Sequence, residues 1–145
     1  MKKVTIYTDG SSLGNPGAGG WGVLLIYKDY KKEISGGSVS ATNNQMELTA
    51  AIKALELLKT KCEIDLYTDS QYVRRGITEW IHNWRNNNWK SSNRKPIKNI
   101  NLWKELYDLS ESHKINWHWV KAHNGDPLNE IVDQLAYNAA KNITE

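Results

Sequence analysis

The sequence predicts an α/β fold: a five-stranded mixed sheet, formed by a three-strand antiparallel meander plus parallel strands, with helices on both faces. Three observations carry this expectation. Period-two alternation marks five separate β-rich runs; the first three follow one another across short polar turns; the later two alternate with helical periodicity, and a crossover helix demands parallel neighbours. At 145 residues, 39% hydrophobic and 24% charged, the chain is expected to form one domain over residues 1–145 with a single sizeable core. Cys62 is alone, so no intramolecular disulfide supports the fold and a reducing compartment is permitted. No apolar run approaches the ~20 residues of a membrane span. The opening Met-Lys-Lys-Val-Thr-Ile-Tyr enters an alternating strand in place of a signal peptide's apolar stretch, so a cytoplasmic location is expected.

Residues 3–8 alternate as a half-buried strand and end at Asp9-Gly10-Ser11-Ser12, which places Asp9 at a strand end. Residues 14–20 read as turn chemistry, and residues 21–28 and 33–41 as the second and third strands. From Thr42 to Lys59 the period changes: Met46, Ala50, Ile52, Ala54, Leu55, Leu57 and Leu58 form a broad apolar face, and Thr42-Asn43-Asn44-Gln45 fits a capping box. Residues 63–68 alternate again and terminate at Asp69, with Ser70 placed to cap a helix from Gln71. Residues 71–112 read as mainly helical, interrupted at 86–88 and 91–93; residues 115–120 supply a fifth strand. Pro127 opens a C-terminal amphipathic helix carrying Leu128, Ile131, Val132, Leu135 and Ala139.

Tyr-Thr-Asp9 and Tyr-Thr-Asp69 each set an aspartate directly after a β run, beyond the carboxyl ends of strands that can be neighbours, where open sheets gather their sites. Either aspartate alone is equally consistent with a turn or cap residue. Glu47 near the start of the long helix, where a carboxylate suits the dipole, and Asp133 at the edge of the last helix's buried stripe are the third and fourth acids. Carboxylates forced together repel and raise one another's pKa, an arrangement that divalent cations between them relieve. Oxygen-only ligation with no Cys or His cluster points to Mg²⁺ or Mn²⁺ and away from zinc.

The motifs Tyr-Thr-Asp9-Gly-Ser, Thr42-Asn-Asn-Gln-Met-Glu47-Leu, Thr68-Asp69-Ser-Gln-Tyr-Val and Trp119-Val-Lys-Ala-His123-Asn-Gly resemble those of bacterial type I ribonuclease H, in order and over essentially the whole chain. A basic, Trp-bearing stretch near residues 80–100 resembles that family's basic helical protrusion. The resemblance implies a ribonuclease H-like fold and endonucleolytic cleavage of the RNA strand of RNA–DNA hybrids, leaving 5′-phosphate and 3′-hydroxyl ends. It also implies that Asp9, Glu47, Asp69 and Asp133 are metal-binding carboxylates holding two Mg²⁺ ions, with Mn²⁺ a possible substitute. Asp9 would bridge the pair; Asp133 would complete the site of the ion holding the attacking water, and Glu47 and Asp69 would serve the other. It gives His123 a role in proton handling or product release. Where the family often has a second glycine before that histidine this chain has Ala122, followed by Asn124, a difference expected to alter rate and not reaction.

An enzyme that cuts only RNA in a hybrid has to sense 2′-hydroxyls on one strand and deoxyribose on the other, both accessible in the wide minor groove. Asn15, Thr42, Asn43, Asn44 and Gln71 flank the acids and suit such shape-driven readout, although Asn43 and Asn44 also fit a helix cap and Asn15 a Gly-Asn-Pro turn. The net charge is only +3, but between Trp80 and Lys104 the six basic residues Arg85, Lys90, Arg94, Lys95, Lys98 and Lys104 stand without an acid. Arg85, Lys90, Lys95 and Lys98, with Trp80, are candidates for contacting the duplex, chiefly by phosphate neutralisation; for the tryptophans of this stretch, mutual packing is the favoured role. The expected protein is a monomeric hybrid endonuclease. Its rivals are a hybrid-binding module that does not cut and a DNA-strand nuclease of the same fold.

Overall fold

The computed structural model describes residues 1–91, 93, 95–121 and 125–144. Its sheet comprises β1 (Lys2–Ser12), β2 (Gly17–Tyr27), β3 (Tyr30–Ala41), β4 (Cys62–Thr68) and β5 (Lys114–Trp119), in the order β3-β2-β1-β4-β5. β1, β2 and β3 pair antiparallel, whereas β4 pairs parallel with both β1 and β5. This is the predicted mixed sheet. α1 (Asn43–Glu56) crosses from β3 to β4. α2 (Gln71–Arg75), a π-helical turn (Gly76–Trp80), α3 (Ile81–Asn86) and α4 (Ile100–Glu111) lie between β4 and β5, and α5 (Pro127–Thr144) follows. Among the described residues no helix is long and apolar enough to cross a membrane.

Strand alternation divides the core. Val4 and Ile6 of β1, Val23 and Leu25 of β2, and Ile64 and Leu66 of β4 meet Leu48 and Leu55 of α1 and the fully buried Trp103 and Leu106 of α4. The opposite sheet face offers Tyr7 and Leu24 to Val132 of α5. Helices therefore cover both faces, as patterning requires of a sheet buried on both sides.

Several boundaries differ from the sequence reading, each for a physical reason. β1 runs on past Thr8 to Ser12, because β2 keeps pairing with it through Asp9↔Gly22, Ser11↔Gly20 and Ser12↔Gly19. Its parallel ladder with β4 stops at Thr8↔Thr68. Asp9 is thus inside a strand, yet at the point where two neighbouring strands part. Residues 17–20, expected as a turn, begin β2; Gly20 is required there by close approach, since a Cβ on it would lie 2.1 Å from the Ala136 carbonyl oxygen of α5. Across both expected helix interruptions the described residues of 87–99 are non-helical, with Asn88, Trp89 (φ 56 and 61) and Asn99 (φ 59) left-handed near the two ends. Among the described residues, the helical parts of the basic stretch are the end of the π-helical turn, Ile81–Asn86 and the start of α4.

Candidate active site

The local capping chemistry aims the site's helices. Thr42 Oγ1 accepts from the Gln45 amide at 3.1 Å, and Gln45 Oε1 accepts from the Thr42 amide at 2.9 Å, a complete capping box. This starts α1 so that Glu47, its fifth residue, turns inward against β1. Glu47 is 6% exposed, a buried member of the acidic set and not a solvated helix-start acid. Ser70 Oγ accepts from the Val73 amide at 3.1 Å and starts α2 directly after Asp69.

Asp9, Glu47 and Asp69 converge: one carboxylate oxygen from each lies within 4.8 Å of the others. They line a cleft of about 410 Å³ together with Gly10, Ser11, Asn43, Asn44, Ser70, Gln71, Tyr72 and Asp133. Asp133 reaches this cleft from α5, outside the three-residue group, close enough to add to the upward pressure on Asp9. Burial, then the charges of Glu47 and Asp69, push the Asp9 carboxyl up to about 11. Glu47 is likewise raised well above the usual carboxylate range, first by burial and then by the charge of Asp69. Glu47 Oε1 is buried with no hydrogen-bond partner. A crowded set of oxygen donors, two of them held far from their favoured ionisation and one oxygen orphaned, fits a hard divalent cation: such an ion would supply the missing partner and the missing charge.

A profile of the RNase H family matches residues 1–141. The chain belongs to the RNase H family. It is 59% identical over 133 residues to Ribonuclease H of Bradyrhizobium diazoefficiens, spanning 92% of this chain and 86% of that one. It is 54% identical over 144 residues to Ribonuclease HI of Vibrio parahaemolyticus, spanning 99% and 94%. The crystal structure of LC9-RNase H1, a type 1 RNase H with the type 2 active-site motif, superposes with a TM-score of 0.88 at 32% identity, covering 98% of this chain and 74% of that one. LC11-RNase H1 in complex with RNA/DNA hybrid shares the fold, with a TM-score of 0.76 at 21% identity over 98% of this chain and 99% of that one.

In this RNase H-family chain the other candidate residues fall into distinct places. Asn43, Asn44 and Gln71 are exposed on the wall of the cleft, within reach of a ligand. Thr42 is engaged as the α1 cap, and Asn15 Oδ1 accepts from the Asn43 amide at 3.1 Å, tying the β1–β2 loop to the helix start. Trp80 packs edge-on against Tyr72 and Trp103, with centroids 5.6 and 6.5 Å apart, and lies 6.0 Å from Trp84, so its ring is scaffold as well as surface. Arg85 stacks over Tyr107 at 4.5 Å, while Lys90, Lys95 and Lys98 are exposed. Lys95 and Lys98 border a second depression with Trp80, Trp84 and Tyr72. Tyr72 also lines the acidic cleft, so the two concavities share a wall. His123 and Arg94 lie outside the described residues.

Sequence reasoning missed Ser11, Ser70 and Tyr72 as cleft residues, although all three stand within the motifs that carry the acids. It also missed two contacts to Asp69. Asn129 Nδ2 lies 3.5 Å from Asp69 Oδ2, and Trp119 Nε1 donates to the Asp69 carbonyl oxygen at 3.2 Å. The only local signal for Asn129 is its spacing, four residues before Asp133 on one helical face.

Proposed function

We propose that the acidic cleft is the active site of an endoribonuclease that hydrolyses the RNA strand of RNA–DNA hybrids with divalent cations, Mg²⁺ foremost and Mn²⁺ as a substitute. The family assigns the hydrolase class, and the observation that supports the site is the convergence of Asp9, Glu47 and Asp69 within 4.8 Å around an orphaned carboxylate oxygen. Asp9, Glu47, Asp69 and Asp133 would hold two ions. When bound, such ions activate a water and stabilise the leaving oxygen of a phosphodiester. Asp9, on a strand shared with both neighbours, fixes the centre; Glu47 brings its charge from α1, and Asp133 brings the fourth carboxylate from α5. His123 would handle a proton beside these acids, a role assigned by its motif.

Asn43, Asn44 and Gln71 on the cleft wall suit donors and acceptors for sugar hydroxyls and base edges without demanding one base. Asn15 and Thr42 support them by holding the start of α1. From the cleft, the shared wall at Tyr72 leads to the depression bordered by Lys95 and Lys98; Lys90 borders an adjoining depression that shares Trp80, Trp84 and Ser91, and Arg85, stacked over Tyr107, would add to the positive surface. This gives a duplex a path whose phosphates meet cations while its scissile bond meets the acids. We infer that the protein is a monomer of one domain that works in the cytoplasm.

The deciding experiment offers the purified protein a labelled hybrid with Mg²⁺ and, separately, with a chelator. Cleavage of the RNA strand alone, ending in 5′-phosphate and 3′-hydroxyl groups and abolished by chelation, is expected. Equal cleavage of duplex DNA would sink the hybrid assignment, and tight binding without cleavage would favour a binding module.

The basic segment has its own expected result. Replacing Arg85, Lys90, Lys95 and Lys98 together with glutamine raises KM for the hybrid and flattens its dependence on salt, because each lost phosphate contact removes about 0.9 from the logarithmic salt slope. Steady-state kinetics across a salt series checks this; a fall in kcat with KM unchanged would place these residues elsewhere than on the duplex.

A further inference from the structure

Asp69 is the member of the carboxylate group that belongs to no strand or helix: Asp9 sits in β1 and Glu47 in α1, whereas Asp69 lies between the last residue of β4 and the cap of α2. Two side chains from distant parts of the chain hold it. Trp119, at the end of β5, donates its indole N–H to the Asp69 carbonyl oxygen at 3.2 Å, with the Arg74 guanidinium 5.8 Å from its ring. Asn129, in the first turn of α5, directs Nδ2 towards the Asp69 carboxylate at 3.5 Å. A carboxylate offers acceptors only, so this neighbour settles which end of the amide faces Asp69. The other end is then left alone: Asn129 is 3% exposed, and its Oδ1 is buried without a partner. The helix start that carries it is itself fixed, since Asp126 Oδ1 accepts from the Leu128 and Asn129 amides at 3.0 and 3.4 Å. A buried amide with one orphaned oxygen lowers stability relative to an apolar side chain of the same size, so packing does not account for it.

We propose that Asn129 is a positioning residue that aims the Asp69 carboxylate into the cation site, with Trp119 fixing the backbone of the same residue. The proposal rests on the cation reading above. It makes α5 supply two services from one face, Asn129 to Asp69 and Asp133 to Asp9.

The test uses the full chain without substrate. In Asn129→Leu, which keeps the branched heavy-atom outline but removes both the donor and the orphaned oxygen, calorimetric titration with Mg²⁺ is expected to show affinity weakened by about tenfold, at the lower end of what loss of a ligand's hydrogen-bond partner costs. Its Tm in EDTA is expected to equal or exceed that of the parent. With hybrid present, kcat falls at low Mg²⁺ and recovers at high Mg²⁺ while KM stays put. Trp119→Phe, which keeps a ring beside Arg74 but loses the N–H, moves Mg²⁺ affinity in the same direction by a smaller factor. Should Asn129→Leu fail to fold, Asn129→Ala and Trp119→Phe carry the comparison. Parental Mg²⁺ isotherms in the Asn129 and Trp119 variants, beside a lost isotherm in Asp69→Asn, would overturn the positioning role alone. An Asp69→Asn isotherm identical to the parent's would overturn the cation reading and this proposal with it.

Discussion

Asp9→Asn is expected to lower hybrid cleavage by about 10²–10³-fold or more, the cost of removing one preorganised charge from a reacting centre, while hybrid affinity stays within a few-fold. Binding is expected to persist because, in the function proposed above, phosphate is gripped by the basic segment and not by the acids. The same substitution should stabilise the cation-free protein. Burial and the neighbouring carboxylates raise Asp9 in the folded state to about 11 from an ordinary value of 3.8. Between those two pH values the native state binds a proton that the unfolded state has released, so the stability Asp9 contributes is fully present below the lower value and is lost as pH rises towards the upper one. Asparagine, which does not titrate, removes that loss: in EDTA at neutral pH the variant melts above the parent, and its Tm depends less on pH. Adding Mg²⁺ reverses the order by raising the parent's Tm and leaving the variant nearly unmoved. Thermal melts at several pH values with and without Mg²⁺ check all three statements. A variant that melts lower in EDTA, with the parent's pH slope, would show that Asp9 is not under electrostatic pressure.

Gly10→Ala is expected to damage both stability and rate, although alanine carries no chemistry to the site. A Cβ on Gly10 would lie 2.3 Å from the Glu47 amide nitrogen and from the Met46 carbonyl carbon, where ordinary contact begins near 3.4 Å. Helix backbone does not yield locally as a side-chain tip does, so α1 has to retreat by roughly 1 Å in a close-packed interior. Overpacking of this kind costs about 1–3 kcal/mol, which a denaturant midpoint resolves. The retreat also carries Glu47 away from Asp9 and Asp69, and a misplacement of about 1 Å can lower rate by about 10²-fold. KM for the hybrid should change less than kcat, since the proposed phosphate contacts of the basic segment lie off α1, while Asn43 and Asn44 move with the helix. Near-parental kcat in a destabilised variant would show that this contact does not set the carboxylate spacing.

Much of this arrangement was legible in the sequence because it is written in short-range periodicity. The alternation of β4 marks Asp69 as the first residue past a strand, and the Thr42–Gln45 spacing announces the capping box that starts α1. What escaped depends on long-range pairing. Alternation breaks at Gly10, so nothing local reveals that β2 holds β1 in register to Ser12. Glu47 reads as a helix-start acid until the sheet beneath α1 is placed, and only then is it buried. Residues 17–20 look like a turn because the partners that demand small residues there are remote: α5 faces Gly20 from more than a hundred residues away, and Met46 of α1 faces Gly19. Trp119 and Asn129 touch Asp69 across 50 and 60 positions, a separation at which residue type alone carries no signal. The π-helical turn before α3 likewise leaves no mark in a pattern of mixed aromatic and polar residues.

The outer strands of the sheet carry a final consequence. β3 and β5 each pair along one side only, so each leaves a row of backbone donors and acceptors to solvent. β5 is short, six residues, and begins at Lys114, while β3 presents Lys31, Lys32 and Glu33 in its exposed first half. Charge at the margin of β3 and the brevity of β5 are features that discourage a second strand from zippering onto either rim.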